Sequence, residues 1–463
     1  MKKNQKKTIS SRYPDFDTDS DTDSDSNSDS DTSSDSDSGS SSYEETLKSS
    51  MKILSKAANQ SYGKTQSKSS SKSSGVSSEG RPTESRIEFI KHVLDGNKLQ
   101  PMIDFDNCDT ESGCERLIKK TMDVKELFMS LNVTLKYIKS GTTGHTFKAT
   151  SKENKDIAYA IKVCAYPKKD DYGRIGNPKR PENAELRMLK LLSSFVLKMK
   201  TPHFILPLGT FNSSISHFVN VSPKLIDLSN EKNHSYRSFI EKCENNEFED
   251  LVSILISEWA NGGDLLDYIR KNYASMTLEQ WKVIIFQILY TLASLHKKYP
   301  TFRHNDMKAN NILVGLIDKE YQEQLYAYRL GEFKFEIPNV GIQIKIWDFD
   351  FACIDGIIEN NKVNATWTKK MNVSKKKNQY YDMHYFFNTL ICEKFFPQFY
   401  TGGAPKEIIE FVHRIIPEKY RGIVQNKHIR KGGRILIDTE WTTPYKVIMT
   451  DELFRKYKCI DKK

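Results

Sequence analysis

The chain has no run of about 18 apolar residues, so the sequence offers no membrane-spanning helix. Its first residues, MKKNQKKTIS, are charged but lead into no apolar stretch, which argues against a secretory signal. Paired cysteines are missing too. The seven (Cys108, Cys114, Cys164, Cys243, Cys353, Cys392 and Cys459) are odd in number, scattered and without metal-ligand spacing, which suits a reducing compartment. From Tyr13 to Glu45 there is no Lys or Arg, only ten Asp and two Glu interleaved with Ser and Thr. The stretch SKSSSKSSG (67–75) then turns weakly basic. Apolar residues are scarce throughout 1–82, which leaves too little buried surface to offset chain entropy, so this tail reads as disordered. The net charge of +10 therefore rests on the remainder of the 463 residues. With no recognition motif beside it, that excess reads as a solvated surface, and no nucleic-acid partner is expected.

What is present begins after an extension at 83–128. VTLKYIKSG (133–141) alternates like a strand, runs into GTTGHTFKAT, and is followed by a second strand, IAYAIKVCAY (157–166). ENAELRMLKLLSSFVLKM (182–199) places Leu186, Leu189, Leu192 and Val196 at helical spacing. FILPLGTF (204–211) and LVSILISEW (251–259) read as strands around a polar insertion near 212–248. TLEQWKVIIFQILYTLASLHKKY (277–299) is a long apolar helix with Thr277 as N-cap and Gln280 at its third position. Short strands near 312–314 and 342–346 bracket a second insertion near 315–341, and 381–396 reads as another buried helix. The order is a strand-rich small lobe with one helix, 129–258, followed by a helical large lobe, 259–463.

Some residues carry chemistry. Gly141 and Gly144 lie between two strands, where a backbone free of side chains can approach a polyphosphate, although a glycine pair in a hairpin is by itself only a turn. Lys162 sits inside an apolar strand, where a cation is costly unless paired, and Glu185 on the next helix is a candidate partner. In RHNDMKANNIL (303–313), Asp306 and Asn311 stand five apart, and Asp348 ends the strand IQIKIW. Two carboxylates and an amide oxygen suit Mg²⁺ and leave one acid to orient a hydroxyl nucleophile, the parts that phosphoryl transfer needs.

In this order and spacing the residues resemble the signature set of eukaryotic protein kinases, over roughly 130–400 and as far as 457. The resemblance implies an α+β, bilobal protein-kinase-like fold, with a small β-rich N-lobe holding one main helix and a larger helical C-lobe. It implies ATP and Mg²⁺ as cofactors and Ser/Thr hydroxyls of protein substrates as acceptors. Asp306 would receive or orient the hydroxyl proton and Lys308 would steady the transferring phosphate. Asn311 and Asp348 would hold the metal. Gly141, Gly144 and Thr146 would line the phosphate cradle, and Lys162, paired with Glu185, would bind the α- and β-phosphates. Glu258 and Ala260 would offer backbone groups to adenine, while Ala160 and Leu313 would sandwich it. Leu189, His304 and Phe349 match an internal stack joining the lobes, and Asp382 the acid that braces the catalytic loop.

Departures from the pattern matter as much. Lys139 stands where the first glycine belongs and adds a cation near phosphate. Asn305 replaces the Arg of the catalytic loop, so activation by loop phosphorylation is not expected. Asp350 replaces the glycine of the metal-binding triplet, adding an acid near the metal, and no Ala-Pro-Glu separates Asp348 from Asp382. The insertions and acidic tail are reminiscent of kinases of large DNA viruses, which would place the protein inside cells, in host cytoplasm or virion. Lysines at 369, 370 and 375–377 suggest acidic substrates, the chain's own tail among them. Two alternatives stay open: a catalytically silent kinase-like binding module, and a small-molecule kinase of the choline and aminoglycoside class.

Overall fold

A computed structural model describes residues 83–95, 99–105, 117–141, 144–321 and 325–459. The acidic tail, Cys108 and Cys114 lie outside these residues. Five antiparallel strands form the N-terminal sheet in the order β1 (Val133–Ser140), β2 (His145–Ser151), β3 (Ala158–Pro167), β5 (Phe248–Glu258), β4 (Pro207–Ser214). β2 alternates buried and part-exposed residues and so has one face toward water, whereas β3 is almost wholly buried. That difference is written in the sequence as HTFKATS against AYAIKVCAYP.

The extension is part of this sheet's packing. Helix α1 (Thr83–Leu94) buries Phe89 and Ile90, and Pro101 and Thr121 bridge to Gly209 and Asn212 on β4. Helix α2 (Pro181–Leu197) starts with Pro at its first position, where the missing N–H costs nothing, and all its residues but Lys190 are buried. The insertion between β4 and β5 forms helix α3 (His234–Glu244), whose Tyr236 and Phe239 rings each lie 4.5 Å from the His145 imidazole of β2.

α4 (Leu265–Asn272) opens the large lobe, capped by Asp264. α5 (Leu278–Lys298) carries the full capping box, with Thr277 and Gln280 satisfying each other's backbone N–H groups. β6 (Ile312–Leu316) pairs with β9 (Ile342–Ile346), and the second insertion forms the hairpin of β7 (Leu325–Leu330) and β8 (Phe333–Pro338). Its Tyr328 ring meets Phe286 of α5 edge-on and its Phe335 ring meets it at a tilt, at 5.4 Å each, so this insertion enlarges the core. α6 (Tyr381–Leu390) ends six residues before the predicted limit of 396, because Ile391 caps it and a turn runs on to Pro397. α7 (Lys406–Ile415) and α8 (Pro444–Thr450) complete the lobe. The result is a mixed, bilobal fold with its cleft between the sheet and α4–α6. Among the described residues no helix is long and apolar enough to cross a membrane.

Candidate active site

β3 delivers Lys162 to the cleft, and α2 delivers Glu185. The Lys162 ammonium lies 2.6 Å from Glu185 and 2.8 Å from Asp348, so one cation joins the sheet, the helix and the end of β9. Lys162 and Glu185 are buried and Asp348 is about one-third exposed, and burial works against each charge. Burial pushes the Glu185 carboxyl up to about 7, with Asp348 and Asp350 adding to the rise and Lys162 opposing it. For Asp348 burial is outweighed by Lys162, which holds the carboxyl below its ordinary range. Lys162 itself is raised well above its usual value, since Asp348 and Glu185 outweigh its burial.

Gly144 sits over this lysine. A Cβ there would lie 2.7 Å from the Cys164 sulfur and 3.0 Å from the Val163 carbonyl, so only glycine fits. The Gly141 N–H donates to the Gly144 carbonyl at 2.8 Å and closes the turn; Thr142 and Thr143 lie outside the described residues. Thr146 pairs in register with Lys139 and Lys162. Ala160 on β3 and Leu313 on β6 are half-buried between buried neighbours, one in each lobe. Leu313 is held there by the chain after Ala260: Gly262 donates to the Val314 carbonyl at 2.9 Å and Val314 to that of Gly263 at 2.8 Å. A Cβ on Gly262 would meet the Val314 carbonyl at 2.8 Å.

The catalytic-loop stretch is organised by α6. Asp382 accepts from the backbone N–H groups of His304 and Asn305, both at 2.8 Å. His304 bonds the Trp347 carbonyl at 2.9 Å and packs against Phe349 at 5.3 Å, which joins the loop to the stretch after β9. Asn305 and Asp348 adopt positive φ, 63° and 60°, a region that Asn and Asp enter more readily than other L-residues. Asn311 donates its amide to both the backbone and the carboxylate of Asp306, at 2.8 and 2.9 Å, so its side-chain nitrogen faces that residue. Lys308 lies 3.7 Å from the same carboxylate. Burial alone would raise Asp306, but Lys308 and then Arg434 outweigh it and hold the acid far below its ordinary range.

Several expectations change. Lys139 turns from the phosphate cradle to Asp264, 2.8 Å away, bridging β1 and the cap of α4. Asp350 is buried and bound to Lys362, which lies 4.0 Å over the Phe351 ring, so it faces the segment that follows rather than a metal. The Glu258 carboxylate points away from the cleft, into a buried cluster with Arg86 at 2.5 Å and Lys345 at 3.1 Å. Burial would raise Glu258, yet these two cations pull it down to about 2. The lysine run is partly neutralised: Lys375 pairs with Asp355 at 2.8 Å and Glu359 at 3.2 Å, and Lys376 with Asp438 at 3.6 Å.

Two arginines were not anticipated, one behind the cleft and one in the site. Arg86 enters from α1 and also donates to the carbonyls of Pro202 and Phe204, at 2.9 and 2.8 Å. Arg434 binds the Asp306 carboxylate and the Asn305 carbonyl. The available signal was slight, an Arg between a glycine pair and the apolar run ILI.

The family model described as poxvirus serine/threonine protein kinase matches residues 210–431. A protein of Acanthamoeba polyphaga mimivirus that bears a serine/threonine-protein kinase name is 61% identical over 385 residues, 82% of each chain. A second mimivirus protein named in the same way is 34% identical over 183 residues, 36% of this chain and 45% of its own. Serine/threonine-protein kinase 2 of vaccinia virus (strain Ankara) is 29% identical over 190 residues, 39% of this chain and 40% of its own. The chain belongs to the serine/threonine protein kinase family, in a divergent viral branch. The departures at Lys139, Asn305 and Asp350 are then features of a kinase, each with its own structural partner.

Proposed function

We propose that this kinase-family chain is an active enzyme that transfers the γ-phosphoryl group of ATP to Ser or Thr hydroxyls of protein substrates. One observation carries the reading: Lys162 is held at once by Glu185 and Asp348, the alignment in which a cation, a helix and a metal-ligand acid converge on one phosphate position. Ala160 and Leu313 would enclose adenine, with the backbone of Glu258 and Ala260 at its edge. Gly141, Gly144 and Thr146 would line the phosphates and Lys162 would bind them. Asp348 and the Asn311 carbonyl are hard oxygen donors of the kind Mg²⁺ takes, and they would hold it. Bound Mg²⁺ would neutralise charge on the phosphates. Asp306 would orient the substrate hydroxyl and take its proton, and Lys308 would steady the transferring group.

The exposed Lys369, Lys370 and Lys377 remain to favour acidic acceptor sequences, including the Ser/Thr–Asp tail of the chain itself. Action inside an infected cell, in cytoplasm or virion, agrees with the viral relatives. The test is incubation with labelled ATP, Mg²⁺ and a panel of acidic and basic protein substrates, followed by phospho-amino-acid analysis. Label on Ser or Thr that disappears in Asp306→Asn supports the proposal, and transfer that persists in a folded Asp306→Asn protein refutes it.

A further inference from the structure

We propose that Arg434 is a positioning residue for phosphate transfer: it fixes the Asp306 carboxylate in the orientation that receives the substrate hydroxyl. This rests on the reading of Asp306 given above. An ionised carboxylate has about four acceptor sites. On Asp306, Oδ2 takes the Asn311 amide at 2.9 Å and faces Lys308 at 3.7 Å, while Oδ1 takes Arg434. One acceptor site on Oδ1 is left for a hydroxyl, and the guanidinium decides which way it points.

The guanidinium is itself held from several sides. It also donates to the Asn305 carbonyl and, at 3.2 Å, to the Tyr381 hydroxyl, and it lies 4.3 Å over the Tyr385 ring. Arg434 stands on a small hairpin whose arms meet at Ile429 and Ile435, both fully buried. The hairpin turns at Gly432 and Gly433, each at φ 88°, where glycine avoids the strain of other residues. Asn388 of α6 fastens it, accepting from the Gly422 N–H and donating to the Gly422 and Gly433 carbonyls, all at 2.8 Å. The same helix holds the catalytic loop through Asp382. Both members of the Arg434–Asp306 pair are thus registered to α6, which a chance surface ion pair would not be.

Asp306 is faced by Lys308, His304 and Asn311 of its own loop, by Asp348 beyond the end of β9, by Tyr385 of α6, and by Arg434. Of its cationic partners, Arg434 comes from outside the loop.

The experiment compares the full chain with Arg434→Met, Arg434→Lys and Asp306→Asn, measuring kcat and KM for ATP and nucleotide affinity by direct binding. Arg434→Met is expected to lose about a hundredfold in kcat with KM for ATP and ATP affinity retained. Arg434→Lys, which keeps the charge but not the fork of donors, should recover part of kcat. An active wild type alongside an Arg434→Met protein with unchanged kcat overturns this inference alone. If Arg434→Met fails to fold, an Arg434→Lys protein indistinguishable from wild type overturns it. A wild type that transfers no phosphate overturns the kinase reading and this inference with it.

Discussion

Glu185 and Asp348 share one lysine and titrate in opposite senses, because burial dominates the first and Lys162 the second. For Glu185, raised to about 7, the folded protein holds a proton that the unfolded chain has lost. Its contribution to stability therefore declines as pH rises from the ordinary carboxylate range toward 7. For Asp348 and Asp306, both lowered, the contribution is present at neutral pH and lost as pH falls below that range. Glu185→Gln should flatten the dependence of unfolding free energy between about pH 5 and pH 7, as denaturant titrations at the two values would reveal. Asp348→Ala should remove the Mg²⁺ dependence of nucleotide binding, and an affinity that still responds to Mg²⁺ would move the metal elsewhere. Lys162 could be picked out in the sequence because a cation inside an apolar strand demands a partner, and Glu185, Asp306, Asn311 and Asp348 because they follow it in the order and spacing that phosphoryl transfer needs. Arg434 could not, since nothing local to an arginine after two glycines says which carboxylate it will meet more than 120 positions away.

The segment between the metal triplet and α6 is held by neutral and cationic donors of the chain itself. The Asn305 amide donates to the carbonyls of Phe351 and Ser374, at 3.0 and 3.2 Å, and its oxygen accepts from the Ser374 N–H at 3.3 Å. Arg303, stacked 3.7 Å over Tyr381, donates to the Asn372 carbonyl at 3.0 Å. Phosphatase treatment should accordingly leave kcat unchanged, whereas Asn305→Ala should lower it. The Asp350–Lys362 pair closes the other end of the segment. Asp350→Ala leaves a buried lysine without its carboxylate and should cost about 3–5 kcal/mol. The double variant Asp350→Ala/Lys362→Met should recover much of that loss, and thermal melts of the pair would separate the two. At this scale β1 and α2 were legible from their periods, β3 from its apolar run and α5 from its apolar length and the Thr277 cap, whereas β2 was not set apart from the glycine turn before it. The polar 212–248 stretch hid α3, whose function is tertiary: two aromatic residues clasp His145, a contact no local pattern announces.

Across the whole molecule, the extension joins the sheet to the large lobe. Arg86 on α1, Glu258 at the end of β5 and Lys345 on β9 form one buried charge cluster, and its carboxylate is held down at about 2 by both cations against its burial. Arg86→Met should cost about 3–5 kcal/mol at neutral pH, read by urea unfolding. The deficit should shrink as pH falls from the ordinary carboxylate range toward 2, where protonation of Glu258 removes the attraction in the parent protein as well. The seating of the 350–380 segment has a temporal consequence. A loop fastened by its own amides keeps no record of a previous enzyme's visit, so under the function proposed above competence would arrive with folding. Output would then follow abundance: the schedule of synthesis and removal of this chain would be the clock of its substrates.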